Sequence, residues 1–245
     1  MRPLSAPELL DAWEDGMVEG PVERALLLLA TACPEISRED LSALPIGQRD
    51  DRLLTLREWT FGSAFNSTVA CPRCGEKVEL SFDASSVRAS PEPADTLGEL
   101  TVEVAGFDLR VRAPNSADMA AAVAGDNVES MRRQLFERCL VSTLRNGQPA
   151  APQQLPPEAI EAVAGCLAQA DPQADIQLAL TCPSCGHSWS AVFDIAAFFW
   201  NEIEAWACRV LREVHLLAVA YGWSELDILQ LSPLRRQAYL EMLDA

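Results

Sequence analysis

The sequence predicts an α+β fold, mostly helical, in which a zinc-ribbon-like pair of β-hairpins carries an α+β insertion and is flanked by N- and C-terminal helices. Three observations lead there. CPRCG at 71–75 and CPSCG at 182–186 share cysteine spacing, proline and glycine. Apolar residues alternate with period two on both sides of each, as in strands. Helix-start signals and helical spacing dominate before residue 60 and after residue 194. The chain is thereby expected to divide into an N-terminal helical region (1–60), a first knuckle hairpin (61–90), an inserted β-hairpin with helices (91–173), a second knuckle hairpin (174–193) and a C-terminal helical region (194–245).

The elements follow in order. SAPE at 5–8 reads as a capping box, Ser5 at the N-cap and Glu8 three residues on, and SRED at 37–40 repeats it with Asp40. PVERALLLLATAC between them is an apolar helix. LPIGQRDDRLLTLREWTFG places Leu53, Leu56 and Trp59 at helical spacing beside charged residues, which predicts a helix with one buried face. FNSTVA and KVELSF bracket the first cysteine pair, and DIQLAL and HSWSAVF the second. Both units end in Phe-Asp, at Phe82-Asp83 and Phe193-Asp194, the mark of a pseudo-repeat whose halves pack together.

Between the units, proline-bearing ASPEPADTLGE reads as a linker, and LTVEV and FDLRVR, joined by Ala105-Gly106, as a two-residue hairpin. NSADMAAAVA, VESMRRQLFERCLVSTL and PPEAIEAVAGCLAQADP are then expected to be helices. From Ile195, a stripe of Phe199, Ile203, Trp206, Val210, Val214, Leu217 and Tyr221 predicts a long helix ended by Gly222. SELD at 224–227 and Ser232-Pro233 start two short ones.

The 245 residues, 49% apolar, are enough for a sizeable core. Nineteen Lys and Arg against 36 Asp and Glu give a net charge of −17, so nucleic acid and anionic membranes are poor partners. No apolar run approaches the ~20 residues of a membrane span, and the first residues lack a secretory pattern; a cytoplasmic location is expected, with incorporation into an assembled particle as an alternative. In a reducing compartment, eight cysteines point to metal, redox chemistry or burial rather than to disulfides.

A C-P-x-C-G knuckle suits zinc because the tight turn aims both thiolates at one point, and the glycine accepts the positive φ that leaves backbone N–H groups facing sulfur. Cys71, Cys74, Cys182 and Cys185 together supply four sulfurs. Closing the loop between them, on the order of 100 residues, costs about 4 kcal/mol, against roughly 10 to 16 kcal/mol from structural zinc in small peptides. Zn2+ held by four thiolates has no open position, so the metal is expected to be structural. His187 reads as a strand residue beside the site, and Cys33, Cys139, Cys166 and Cys208 as small buried hydrophobes.

No phosphate loop, dinucleotide fingerprint, H-E-x-x-H or G-x-S-x-G is present. The second of the two histidines, His215, falls within the long helix. The chain therefore reads as non-enzymatic with no small-molecule substrate. Arg209, Arg212, Arg235 and Arg236 form either ordinary helix-surface charge, including an Arg209–Glu213 pair, or a partner-binding patch.

The C-terminal stretch VHLLAVAYGWSELDILQLSPLRRQAYLEML carries Tyr221, Trp223, Ser224, Glu225, Ile228, Leu229, Leu231, Arg235, Arg236, Tyr239 and Leu240 in a recurring pattern. It resembles the small baseplate-hub assembly proteins of T-even-type contractile phage tails. The region from LPIGQRDDRLL through both knuckles resembles zinc-knuckle-bearing relatives encoded with contractile injection systems; the short phage proteins lack the cysteine framework. The resemblance implies a non-enzymatic assembly chaperone or minor baseplate component acting on hub, spike, tube or tape-measure proteins. Trp223, Arg235, Arg236 and Tyr239 are then the expected partner anchors, being residue types enriched at binding hot spots, although the same aromatics could simply pack the last helices. A zinc-ribbon adaptor in regulation or nucleic-acid binding is the alternative, and an enzyme using an unrecognised thiol the third reading.

Overall fold

The structure, a computed structural model, describes residues 1–89, 98–123 and 127–243. Most of the linker expected over 89–99 lies outside the described residues. The chain forms two units, one of Met1–Glu35 with Ala196–Ala245 and one of Ile36–Ile195, and the expected mix of helices with small antiparallel sheets is what is found.

The first unit is helical. Helix α1 (Ala6–Gly16) starts where the Glu8 carboxylate accepts from the Ser5 N–H at 2.9 Å, and α2 (Pro21–Ala32) begins on a proline. Gly16 allows a close approach, since a Cβ there would lie 2.3 Å from the Trp200 ring. Helix α8 (Ile195–Tyr221) ends at Gly222, whose φ of 68° is the left-handed conformation that terminates helices. Its Val210, Val214 and Leu217 join Leu10, Ile228 and Leu229 in one buried cluster. Helices α9 (Glu225–Leu229) and α10 (Pro233–Glu241) are capped by Ser224 and Ser232.

In the second unit, α3 (Arg38–Ala43) is followed by α4 (Ile46–Phe61). Leu53 and Leu56 of α4 are buried, but Trp59 is 47% exposed. At about 100° per residue, every three-residue step slips ~60° around a helix, so two steps carry Trp59 off the face that Leu53 centres. Arg49, Asp50 and Arg57 occupy that face and are buried. Arg57 is accommodated by stacking over Phe65, 3.8 Å from the ring centroid, and by donating to the Gly62 carbonyl. Gly47 packs against Asp171, whose carboxylate accepts from the Gly47 N–H at 2.9 Å. A Cβ at Gly47 would stand 1.8 Å from that carboxylate. Gly47→Ala, a change that ordinarily gains up to about 1 kcal/mol inside a helix, is therefore expected to cost about 1 to 3 kcal/mol through overpacking, read by urea unfolding.

Strands β1 (Ala64–Ala70) and β2 (Lys77–Asp83) form the first hairpin. The insertion opens with β3 (Leu100–Val104) and β4 (Phe107–Val111), turned by Ala105 and Gly106 at φ of 50° and 77°. Helix α5 (Ser116–Val123) follows, and α6 (Val128–Cys139) stops earlier than expected. LVSTL continues as strand β5 (Leu140–Arg145), paired to β4, and Asn146-Gly147, both at positive φ, turns it into β6 (Gln148–Pro149). The open edge of β4 and the β-branched Val141 and Thr143 override the helical spacing. Helix α7 (Pro157–Ala170) covers this four-stranded sheet through Ala159 and Val163. Strands β7 (Ile176–Thr181) and β8 (Ser188–Phe193) form the second hairpin. Phe82 stacks on Phe65, and Phe193 meets both edge-on at 5.5 Å, so the phenylalanines of the two Phe-Asp steps join the hairpins at one end.

Candidate metal centre

At the other end of the hairpins the two knuckles are near copies. In the first, the Cys71 N–H donates to the Glu76 carbonyl (2.8 Å) and the Gly75 N–H to the Cys71 carbonyl (2.9 Å). In the second, Cys182 donates to His187 (2.9 Å) and Gly186 to Cys182 (3.0 Å). Gly75 and Gly186 have φ of 77° and 69°, the turn conformation the motif requires.

All four sulfurs lie within 4.8 Å of one another, with Cys71–Cys185 at 3.8 Å and Cys74–Cys182 at 3.6 Å. Metal–sulfur bonds of about 2.3 Å place tetrahedral ligands about 3.8 Å apart, so the donors already stand near the positions that a metal imposes. A tetrahedral set of four thiolates suits zinc or iron. Burial pushes the Cys71 thiol up, but the N–H groups of Cys74 and Arg73 and the neighbouring thiols outweigh it and bring it down to about 7. Cys74, despite a bond from the Glu76 N–H, is pushed up to about 12 by Cys185, burial and its other cysteine neighbours. One thiolate thus opposes the next, a conflict that a bound cation removes.

His187 stays outside this set: its ring stacks on Trp189 at 6.0 Å. Cys33 and Cys139 are buried as expected and Cys166 half-buried, whereas Cys208 is exposed, because it falls off the buried stripe of α8.

Of the expected partner anchors, Trp223, stacked on Tyr221 at 4.8 Å and edge-on to Tyr239 at 4.9 Å, is half-buried, as is Tyr239. Arg236 is buried and paired with Glu213 at 2.7 Å, while Arg235 is exposed. Glu213 also lies 3.8 Å from Arg209.

Besides Asp171, two buried acidic groups were not singled out in the sequence. Asp118 accepts from Arg112 (2.6 and 3.0 Å), Arg138 (2.9 Å) and the Asn115 N–H (3.1 Å), binding the end of β4, the start of α5 and the end of α6. The spacing of Asn115 and Asp118 is that of a helix cap, a signal legible in NSAD. Asp50 pairs with Arg49 at 2.7 Å, yet burial, reinforced by Asp194 and Asp171, pushes its carboxyl up to about 6. The unfolded chain binds that proton only below about pH 4. Asp50 therefore favours the folded state most in acid and loses that contribution as pH rises through about 6. Relative to Asp50→Asn, the natural protein is expected to lose about 2 to 3 kcal/mol of urea-measured stability between pH 4 and 7; a difference independent of pH would refute this.

Among the described residues, no helix is long and apolar enough to cross a membrane. Among known families, the one described as T4 bacteriophage base plate protein matches residues 17–200. No curated protein and no solved structure matches. The matched region holds both knuckles and the insertion, and stops before the C-terminal stretch VHLLAVAYGWSELDILQLSPLRRQAYLEML.

Proposed function

The chain belongs to the T4 bacteriophage base plate protein family, and from that membership we propose that it is a non-enzymatic assembly chaperone or minor component of the baseplate of a contractile, phage tail-like injection system. Its partners are hub, spike, tube or tape-measure proteins. The observation that carries the proposal is the family match across most of the chain. The C-terminal pattern, outside the matched residues, supports the same machine independently.

In this reading Cys71, Cys74, Cys182 and Cys185 hold a structural Zn2+ that supplies a rigid cross-link and no chemistry on a substrate, since four thiolates fill a tetrahedral site. A fixed body suits a protein that must receive a partner without rearranging. The partner surface includes Trp223, Tyr239 and the exposed Arg235. Arg236 acts through Glu213, holding α10 on α8 so that the aromatic pair keeps its place.

Capture of the tagged full chain from cells making the tail machine, with crosslinking and mass spectrometry, tests the proposal. Hub, spike, tube or tape-measure proteins are expected, crosslinked to this chain. Consistent recovery of transcription or RNA-processing proteins in their place would favour the adaptor reading.

A further inference from the structure

Among the described residues, each knuckle hairpin is a two-stranded sheet whose outer edges pair with no further strand. Strand β2 pairs with β1 and β7 with β8, each in a two-stranded sheet. The second edges of β2 and β7 line one groove of about 360 Å³, with residues 79–82 on one wall and 177–180 on the other. The cysteines gather the knuckle ends together, so β2 leaves the metal centre and β7 returns to it.

Which backbone groups face the groove follows from the register. The Cys71 N–H donates to Glu76 at one end of the first hairpin, and the Ala84 N–H to Ser63 at the other. Antiparallel pairs alternate between hydrogen-bonded and open, and counting from either end puts the ladder bonds of β2 on Val78, Leu80 and Phe82. The N–H and C=O groups of Glu79 and Ser81 therefore point away from β1. In the second hairpin, the Cys182 bond to His187 starts the same count and turns the backbone groups of Gln177 and Ala179 away from β8. All four residues are exposed and line the groove.

We propose that this groove takes one extended, basic segment of a partner protein as an added strand between β2 and β7, joining both hairpins into one sheet. Backbone pairing supplies the attraction, as in other strand-addition sites. Half-buried Leu80, Phe82, Leu178 and Leu180 offer alternate apolar contacts, enough for about four residues, or ~13 Å of strand. The charge of the occupant follows from the walls: Glu79 is the charged side chain lining them, and exposed Asp83 and Asp175 extend the two strands past the groove. An occupant alternating apolar and basic residues complements both features. A second copy of β2 would instead bring a further Glu79 to the rim, where like charge discourages edge pairing. Only the identity of the partner as a tail protein rests on the baseplate reading.

The probe is the peptide acetyl-(Lys-Val)3-amide, titrated into the ¹⁵N-labelled full chain as purified with its metal. Amide shifts centred on Glu79, Ser81, Gln177 and Ala179, with at least tenfold slower hydrogen exchange there, are expected. A backbone N-methylated peptide and a Glu-for-Lys peptide should each bind at least tenfold more weakly. Ser81→Pro combined with Ala179→Pro removes two outward donors without touching either ladder, a placement that edge strands tolerate, and should lower affinity at least tenfold with metal content unchanged. Equal binding of the N-methylated peptide, shifts centred on α8–α10, or dimerisation through these edges would overturn the proposal, and the peptide controls decide it even if the double variant misfolds. If that variant folds yet binds the peptide and captures tail proteins at natural levels, the groove is refuted and the baseplate reading stands. If the natural chain binds the peptide but captures no tail protein, the baseplate reading fails and the groove stands.

Discussion

Cys182→Ser will abolish stoichiometric metal binding and lower the midpoint of thermal unfolding of the second unit by about 10 °C or more. The hairpins have little else to hold their knuckle ends: the buried residues there are Cys71, Val78 and Cys182, two of them from the four-cysteine cluster. Structural zinc contributes roughly 10 to 16 kcal/mol in small peptides, and closing the intervening loop costs about 4 kcal/mol. Even a fraction of the remainder, about 4 kcal/mol, shifts the midpoint of a domain this size by about 10 °C. The loss will be graded. Hydrogen exchange should speed up first around residues 69–78 and 180–189, while the Phe65–Phe82–Phe193 cluster keeps the far ends together and the Leu109–Val163 core of the insertion persists. Cys71→Ser should behave alike, whereas Cys208→Ser should leave metal content and stability unchanged. Unaltered stability in Cys182→Ser would show that the four sulfurs meet for no structural reason.

Asp118→Ala will destabilise the same unit by about 3 kcal/mol in urea unfolding at pH 7. Its carboxylate is 1% exposed and accepts from two arginines and a backbone N–H. Hydrogen bonds to a charged group contribute about 1.5 to 3 kcal/mol each, but Arg112 and Arg138, at 36% and 45% side-chain exposure, can turn to water when Asp118 is removed. That keeps the cost below the full sum. Although burial opposes ionisation, the Arg112 bonds, the Asn115 N–H and Arg138 together hold the carboxyl below its ordinary value. Its contribution is thus present above about pH 4 and lost as pH falls through the lowered value. The penalty of Asp118→Ala should shrink in strong acid, opposite in sign to the Asp50 effect; a penalty that grew there would contradict the assignment.

The four-cysteine cluster was legible because each half is local: five consecutive residues fix the turn, the sulfurs and the glycine. The helix starts at Ser5, Ser37, Ser224 and Ser232 were legible for the same reason. What sequence spacing missed depends on partners distant in the chain. Arg57 lies on a buried face because Phe65 supplies a ring to stack on, and Arg236 is buried because Glu213 meets it from another helix. Strand β5 exists because β4 has an edge to fill; Asn146-Gly147, a strong hairpin signal, was there to be read against the helical spacing. The groove between β2 and β7 belongs to the same class, since only the joining of two hairpins far apart in the chain brings its walls together.

Native mass spectrometry of the full chain is the most direct test of the central claim, that a baseplate protein is held in shape by a four-cysteine metal clamp. One zinc per chain is expected, bound with displacement of protons from all four thiols and absent from Cys182→Ser. A metal-free natural chain with four reduced thiols and unchanged stability would contradict it.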